Sequence, residues 1–218
     1  MLNKSATLIA IILFLALPTV SQANKLEETL NEIQKNYEKV ETFSAKFTQK
    51  AYVKMIGKSQ KSSGSVLIKK PGKMRWSYRN PDPQLIVSND KMLWFYAPEE
   101  GQVSQIPMND VYSSNAPALF LSGKGKLAES FSALKMDESE GEVALTLIPN
   151  EEDHSLTRLI LFANHKTFQI IGASVYDKMG NKTEIRFKDI QVNLELPETA
   201  FKFKKPEGAE LLDFTNAP

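Results

Sequence analysis

The sequence predicts a mainly β protein in which one long antiparallel sheet curls around an apolar interior. Short apolar runs alternate with turn clusters through most of the chain, and a single long helical stripe precedes them. The pattern is clearest over residues 64–96, where clusters of Pro, Gly, Asn and Asp separate runs rich in aromatic and β-branched residues. Such spacing is typical of a β-meander.

The N-terminus has the pattern of an export signal. Lys4 provides a positive charge, residues 6–17 form an apolar run too short for an ordinary membrane span, and Ser21-Gln22-Ala23 fits a small-x-small cleavage site. We therefore expect residues 1–23 to be a signal peptide and residues 24–218 to form a single domain beyond the inner membrane, in the periplasm.

The composition argues against several classes of protein. With 27 basic and 26 acidic residues the formal charge is +1, which gives no support to nucleic-acid binding. The chain has no cysteine, so disulfides and thiol catalysis are excluded, and its 2 histidines lie in predicted turns. No metal-ligand spacing, nucleophile elbow or phosphate-binding glycine loop is found, so we expect no metal, no cofactor and no enzymatic activity.

The first elements after the leader change from helical to strand periodicity. Apolar residues spaced by 3 and 4 over Leu26–Val40 predict an amphipathic helix. From Phe43 to about Met55 apolar and polar residues alternate, which predicts a strand. The polar segment Ile56–Ser63 is interpreted as a hairpin loop.

The meander that follows supplies further strands, and both tryptophans, Trp76 and Trp94, lie on it. The predicted strands are Val66–Lys69, Lys73–Arg79, Gln84–Ser88, Met92–Tyr96 and Gln102–Ile106.

An insertion over Asn109–Ser130 breaks the β pattern. Asn115-Ala116-Pro117 is typical of a helix start, and residues 118–121 then form one apolar helical turn. A second short helix is predicted over Lys126–Ser130.

Strands resume in the second half of the chain. They are predicted over Phe131–Met136, Glu142–Ile148, Thr157–Ala163, Gln169–Asp177 and Lys182–Phe187. The apolar phase shifts after Phe187, so we expect a β-bulge near Lys188-Asp189. The predicted strands number about eleven, and short segments at Phe201–Phe203 and Leu211–Phe214 end the fold. A sheet of this size must curl or close, and a helical insertion over its mouth would enclose an apolar cavity.

Several segments carry a family resemblance. They are residues 43–50 (FSAKFTQK), 64–71 (GSVLIKKP), 74–76 (MRW), 83–88 (PQLIVS), 93–96 (LWFY) and 201–208 (FKFKKPEG). Taken together, they resemble the periplasmic outer-membrane lipoprotein carrier proteins, the LolA family, over essentially all of residues 24–218.

The resemblance implies an unclosed antiparallel β-barrel with a helical lid over an apolar cavity. It also implies a monomeric, non-enzymatic carrier without nucleic-acid partners. Such a carrier accepts triacylated lipoproteins from a LolCDE-type ABC transporter of the inner membrane. It delivers them to the outer membrane through a LolB-type acceptor, where one is present.

Candidate site residues follow from the resemblance and from strand alternation. Trp76 matches the family's cavity-lining tryptophan, and alternation places Met74 and Tyr78 on the same face. Alternation alone does not say whether Trp94 faces the cavity. The predicted acyl-chain-binding set is Phe47, Met74, Trp76, Tyr78, Leu119, Phe120 and Leu121. Aromatic residues that alternate along strands are also the usual pattern of an ordinary core.

Lys70 departs from the family pattern. In the family an arginine directly before the motif proline holds the lid closed, and this position, before Pro71, is a lysine here. A lysine keeps the charge but lacks the planar five-donor fork. We expect Lys70 either to latch a lid through backbone carbonyls near Leu119–Leu121 or to remain a solvated residue at a strand end.

Three other functions remain open from the sequence alone. One is a periplasmic lipid or glycolipid binder, and another is a lipoprotein sensor on the same fold. Sensors of this kind carry an extra domain, for which we expect no room after Phe214. The third is a hydrolase, for which no acid, base and nucleophile can be nominated.

Overall fold

The computed structural model describes residues 20–109, 111, 126–151 and 156–215, with side chains from residue 24 onward. The first half contains helix α1 (Val20–Lys39) and strands β1 (Thr42–Val53), β2 (Lys58–Lys69), β3 (Lys73–Asn80), β4 (Gln84–Ser88), β5 (Met92–Ala97) and β6 (Gln102–Pro107). The second half contains helix α2 (Leu127–Ser130) and strands β7 (Phe131–Ser139), β8 (Glu142–Pro149), β9 (Arg158–Asn164), β10 (Ile170–Tyr176), β11 (Lys182–Val192) and β12 (Glu210–Asp213).

All twelve strands of the described residues belong to one sheet, in the order β12-β6-β5-β4-β3-β2-β1-β11-β10-β9-β8-β7. Every neighbouring pair is antiparallel except β12 and β6, which run parallel. The sheet is therefore two meanders joined where β1 pairs with β11, and β12 and β7 are its unclosed edges. The predicted fold class is confirmed, with one strand more than expected.

Helix α1 packs its apolar stripe against the second meander. Leu30 and Ile33 are 4% and 0% exposed, and they lie in what we call the aliphatic cluster. Its members are Leu30, Ile33, Leu127, Phe131, Leu145, Leu147, Leu156, Leu159, Leu161, Ala163 and Ile170. The helix begins at Val20, before the first position of the stripe that predicted it at Leu26.

The predicted bulge is confirmed. Ser44 pairs with Gln191 and Lys46 pairs with Lys188, so β11 holds one residue more than β1 between these pairs. Asp189 takes a φ of 53°, and its carboxylate meets the Lys46 ammonium at 2.8 Å. The extra residue accounts for the shift in apolar phase after Phe187.

The predicted hairpin loop Ile56–Ser63 is wrong in most of its length. Strand β1 continues to Val53, a 3-10 turn covers Lys54–Ile56, and β2 already begins at Lys58. The polar residues 58–62 have no partner in β3, because the β2–β3 pairing starts at Ser63. The β1–β2 hairpin therefore projects beyond β3, and residues 58–62 of its second strand carry no apolar side chain, which is why this part of the sequence resembled a loop.

The short helix predicted over Lys126–Ser130 is confirmed as α2, Leu127–Ser130. The helix start predicted at Asn115–Pro117 lies outside the described residues.

Candidate functional site

The inner faces of β1, β2, β3 and β11 together form an apolar surface rich in aromatic rings. Its buried residues, which we call the aromatic cluster, are Ala45, Phe47, Val66, Ile68, Met74, Trp76, Met108 and Phe187. Phe43 and Tyr78 are partly buried against it. The cluster brings together side chains that alternate along four neighbouring strands, because residues two apart share one face of a sheet.

The rings of this cluster meet edge to face. The Phe47 centroid lies 5.1 Å from that of Trp76, at an interplanar angle of 68°, and 4.9 Å from that of Tyr78, at 76°. On the other side, Phe43 meets Phe187 at 5.2 Å and 74°. Such pairs add about 0.5–1.5 kcal/mol each beyond their buried area.

Tyr78 lies at the edge of the aromatic cluster and brings a polar group, its hydroxyl, to it. Its hydroxyl donates a hydrogen bond of 3.0 Å to Gln49 Oε1, and burial raises the pKa of this phenol above its ordinary value. The ring therefore remains neutral and presents an apolar body to Phe47 with its hydroxyl satisfied.

A small cavity of about 40 Å³ separates the aromatic cluster from the C-terminal end of α1. Its lining is Asn36, Tyr37, Val40, Phe43, Ile68, Lys70, Gln169, Ile170 and Phe187. A volume of this size holds about one or two water molecules. Within the described part of the chain the buried Asn36 Oδ1 has no hydrogen-bond partner. Among the described residues, the interface between α1 and the aromatic cluster is thus less densely packed than an ordinary core, and it leaves one buried polar atom without a hydrogen bond.

Lys70 fastens the end of β2 to helix α1. Its ammonium donates a hydrogen bond to the backbone carbonyl of Tyr37 and lies 3.3 Å from the centroid of the Tyr37 ring. Burial lowers the pKa of Lys70 from 10.5 to about 8, while the nearby Glu38 carboxylate acts in the opposite direction. A cation over a ring and on a carbonyl at a helix C-terminus is held by three attractive interactions at once.

The structure brings together four of the predicted site residues. Phe47, Met74 and Trp76 are 2%, 5% and 8% exposed, and Tyr78 packs against them. The other three, Leu119–Leu121, lie outside the described residues, and so do the carbonyls to which Lys70 was expected to bind. The alternative of a solvated Lys70 is wrong, because its ammonium is bound to Tyr37.

Trp94 lies on the opposite face of the sheet. Its ring stacks on Phe203 with centroids 5.8 Å apart and an interplanar angle of 12°, and its Nε1 donates to Gln105 Oε1 at 2.8 Å. The neighbouring Leu93 is the residue of β5 that packs against the aromatic cluster. Trp94 therefore anchors the C-terminal segment outside the sheet.

Sequence reasoning missed Phe43, Phe187 and Tyr37. Phe43 shares the alternation of Phe47, so this signal was available. Phe187 reaches the site only because β11 pairs with β1, with Phe187 opposite Phe47. Tyr37 belongs to the stripe that predicted α1, but its contact with Lys70 depends on how the helix crosses the sheet.

Two features are absent from the described residues. No helix there has the length and apolar character needed to cross a membrane. No group of three or more His, Cys, Asp or Glu side chains there could hold a metal ion.

Comparisons with known proteins agree on one family. The family model described as "Outer membrane lipoprotein carrier protein LolA" matches residues 38–204. An outer-membrane lipoprotein carrier protein of Dechloromonas aromatica is 31% identical over 199 residues, covering 91% of this chain and 92% of the relative. Another, from Hahella chejuensis, is 34% identical over 188 residues, covering 85% and 87%.

A solved structure agrees on the fold alone. An uncharacterized conserved protein from Thermus thermophilus superposes with a TM-score of 0.55 at 12% identity, covering 87% of this chain and 99% of that one.

The fold and the aromatic cluster are those of a small β protein whose sheet has an apolar inner face. The chain belongs to the LolA family of outer-membrane lipoprotein carrier proteins. The family consists of transport proteins and not enzymes, and its role is in the periplasm, in building the outer membrane.

Proposed function

We propose that this chain carries triacylated lipoproteins across the periplasm with their acyl chains held against the aromatic cluster. The observation that carries the proposal is an apolar face of the sheet, centred on Phe47 and Trp76, that meets α1 across an imperfectly filled interface. The acyl-binding set includes Met74 and Tyr78 and, beyond the described residues, Leu119, Phe120 and Leu121.

Acyl chains need such a carrier because water excludes them strongly. Three chains hold on the order of 45 methylene groups, at about 0.8 kcal/mol each, so exposing them to water costs roughly 35 kcal/mol. Non-covalent affinity saturates near roughly −20 kcal/mol. The carrier therefore does not convert the whole of this sum into affinity, and it must release its cargo to an acceptor.

The closed interface explains how binding stays moderate. The cavity of about 40 Å³ between α1 and the aromatic cluster cannot hold an acyl chain, so loading at this place requires α1 or the rings to move apart. Opening costs free energy, which is subtracted from the affinity of the open form for its cargo. Lys70 contributes to this cost, because separating α1 from β2 breaks its contacts with Tyr37.

The route of the cargo is also part of the proposal. Residues 1–23 direct export and are removed, and residues 24–218 work as a monomer in the periplasm. A LolCDE-type transporter supplies the lipoprotein, and a LolB-type acceptor, where present, receives it.

An ATP-dependent release assay tests the proposal. The exported protein is added to energised spheroplasts or to liposomes that carry the transporter, and lipoproteins are sought in the soluble fraction. We expect a one-to-one complex that forms only with ATP. Absence of release by the folded protein, together with bound phospholipid or glycolipid in native mass spectrometry, would replace the carrier by a lipid binder. Absence of both release and bound lipid would leave a lipoprotein sensor.

A further inference from the structure

A second apolar surface lies on two neighbouring turns, far along the sheet from α1. Met55 and Ile56 at the tip of the β1–β2 hairpin are 90% and 58% exposed, and Met179 in the turn between β10 and β11 is 75% exposed. Tyr52 and Val53 extend the surface with exposures of 37% and 38%. Isolated exposed apolar side chains are ordinary, but a group of them on two adjoining turns is not.

The two turns are fixed to each other. The backbone N–H of Lys54 donates a hydrogen bond of 3.0 Å to Asn181 Oδ1, and β1 and β11 remain paired up to Tyr52 and Lys182. The Lys54 side chain crosses Gly180 so closely that a Cβ there would lie 2.5 Å from its Cδ. The methionines are thus presented by one rigid unit, which we call the paired turns (residues 52–58 and 178–182).

Both turns close in the same way. Gly57 at φ 63° donates to the Lys54 carbonyl at 3.2 Å, and Gly180 at φ 82° donates to the Asp177 carbonyl at 3.1 Å. Glycine takes these left-handed conformations without strain, so both turns are tight, and Met55 and Met179 beside the glycines are exposed.

The charge around the first of these turns has one sign. Residues 50–61 contain four lysines and no acidic residue, although the whole chain carries a formal charge of only +1. These four lysines are all exposed, and within the part of the chain that the structure describes none of them forms a salt bridge. They are Lys50, Lys54, Lys58 and Lys61. Lys178 and Lys182 flank the second turn, where the Lys182 ammonium is paired with Glu184.

We propose that the paired turns insert into the surface of a bilayer that contains anionic phospholipid. Apolar side chains at the tip and lysines behind them match the two layers of such a surface, acyl chains below and negatively charged headgroups above. Tyr52, amphipathic and just behind the tip, is of the type that favours the interface between the two. The charge complementarity favours an anionic membrane over an uncharged apolar partner.

The contrast with Leu134 supports this assignment. Leu134, on β7, is 64% exposed, and is therefore as accessible as the residues of the tip. It is followed by Lys135, which pairs with Asp137, and then by Glu138 and Glu140 on the same hairpin, so its surroundings carry a net negative charge. An anionic membrane would repel this site, which makes it the matched control.

The absence of cysteine permits a site-specific test. Met55→Cys, Met179→Cys and Leu134→Cys are each labelled with an environment-sensitive fluorophore in the exported protein. Mass spectrometry first establishes the N-terminus, because an apolar leader would itself bind vesicles. We expect vesicles of phosphatidylglycerol and phosphatidylethanolamine to raise and blue-shift the emission at the two methionine positions only. Phosphatidylcholine vesicles should have a much weaker effect.

Sedimentation with the same vesicles gives the magnitudes. We expect Met55→Ser combined with Ile56→Ser to weaken vesicle binding about tenfold or more, since both side chains lose their apolar burial. Lys54→Gln and Lys58→Gln should each weaken it roughly fivefold, with high salt abolishing the difference. Leu134→Ser should leave binding unchanged, and urea unfolding should show that each variant is folded.

Three results would overturn the inference: no binding to anionic vesicles, binding with no response at Met55, or an equal response at Leu134. A label at Met55 that responds to the solubilised transporter but not to vesicles would make the paired turns a protein-docking site instead. The inference does not rest on the acyl-binding proposal, and binding of a fluorescent fatty acid by the tip variants separates the two.

Discussion

The two meanders of the sheet carry cores of different chemistry. The aliphatic cluster, between α1 and the second meander, is built mainly from leucines such as Leu145, Leu147 and Leu161, all at most 1% exposed. The aromatic cluster, mainly on the first meander, has three aromatic rings and two methionines among its eight buried residues. The cavity and Lys70 lie at its boundary with α1.

The difference indicates which half of the molecule can open. Branched aliphatic side chains in a dense core lose stability with every gap, so such a core holds one arrangement. Flat rings that meet at their edges, together with flexible methionines, can repack around a guest. We infer that helix α1 is held permanently at the aliphatic cluster and reversibly at the aromatic one.

The largest expected effect is on stability and comes from the aliphatic cluster. Leu145→Ala should lower the free energy of unfolding by about 2–5 kcal/mol, because Leu145 is fully buried in the aliphatic cluster and its removal leaves a cavity. Urea unfolding measures this loss. Leu134→Ala, at an exposed position, should cost about 0.5 kcal/mol or less.

The same variant tests the division of labour between the clusters. Per folded molecule, Leu145→Ala should bind a fluorescent fatty acid as the parent protein does. A loss of affinity as large as the loss of stability would show that the two clusters act as one core.

The next largest effect is on fatty-acid binding by the aromatic cluster, and a variant of the second tryptophan, Trp94, serves as its control. Trp76→Leu should weaken fatty-acid binding roughly tenfold, since it removes the ring that Phe47 meets at 5.1 Å. Trp94→Leu, which disturbs only the stacking on Phe203 outside the sheet, should leave binding unchanged. Titration of both variants with the same fatty acid measures the contrast, and equal effects would contradict the assignment of the inner face.

Much of the difference between the two clusters could be predicted from the sequence, but the pairing of the strands that build them could not. Alternation placed Met74, Trp76 and Tyr78 on one face, and the phase shift after Phe187 located the bulge at Asp189. Both signals are local, since each depends only on the period of a single strand.

What could not be predicted depends on contacts between distant segments. Phe187 joins Phe47 through the β1–β11 pairing, and no local pattern encodes which strands become neighbours. The side of the sheet on which Trp94 lies could not be predicted for the same reason, because it depends on stacking with Phe203 in the C-terminal segment. The first residues of β2, 58–62, are polar because they do not pair with β3 and need not be apolar, so their sequence was assigned to a loop.

A smaller effect is expected at the reversible contact of α1. Because burial lowers the pKa of Lys70 to about 8, the unfolded state binds more protons than the folded state between pH 8 and the ordinary value of 10.5. The contribution of Lys70 to stability should therefore increase as pH rises through this window and be constant below it. Since the side chain is only half-buried, we expect a change of about 1 kcal/mol or less.

Lys70→Met isolates this contribution. The difference in unfolding free energy between the parent protein and the variant, measured in urea across the window, cancels titrations that both proteins share. A difference that stays flat with pH would mean that folding does not disfavour the charged form of Lys70, and would contradict the burial of its ammonium beside Tyr37. The Tyr37 carbonyl also accepts from the Val40 N–H at 3.2 Å, so the variant leaves no bare acceptor.

The smallest effect on stability is expected on the outer face of the sheet, opposite the aromatic cluster. There the C-terminal segment lies against β2 and β3. Lys69 and Lys73 both bind the Glu198 carboxylate at 2.7 Å and lower its pKa to about 2. This contribution is present above the ordinary pKa of 4.5 and is lost as pH falls toward 2. Glu198→Gln should therefore remove a small acid-dependent part of the stability.

Urea midpoints between pH 4.5 and pH 2 measure that part. Glu195→Gln is the matched control, because Glu195 is a nearby exposed carboxylate without a salt bridge among the described residues. If the aromatic half opens only on its inner face, Glu198→Gln also leaves fatty-acid binding unchanged. A change in binding would mean that the C-terminal segment moves when the cluster opens, and that the outer face takes part in loading.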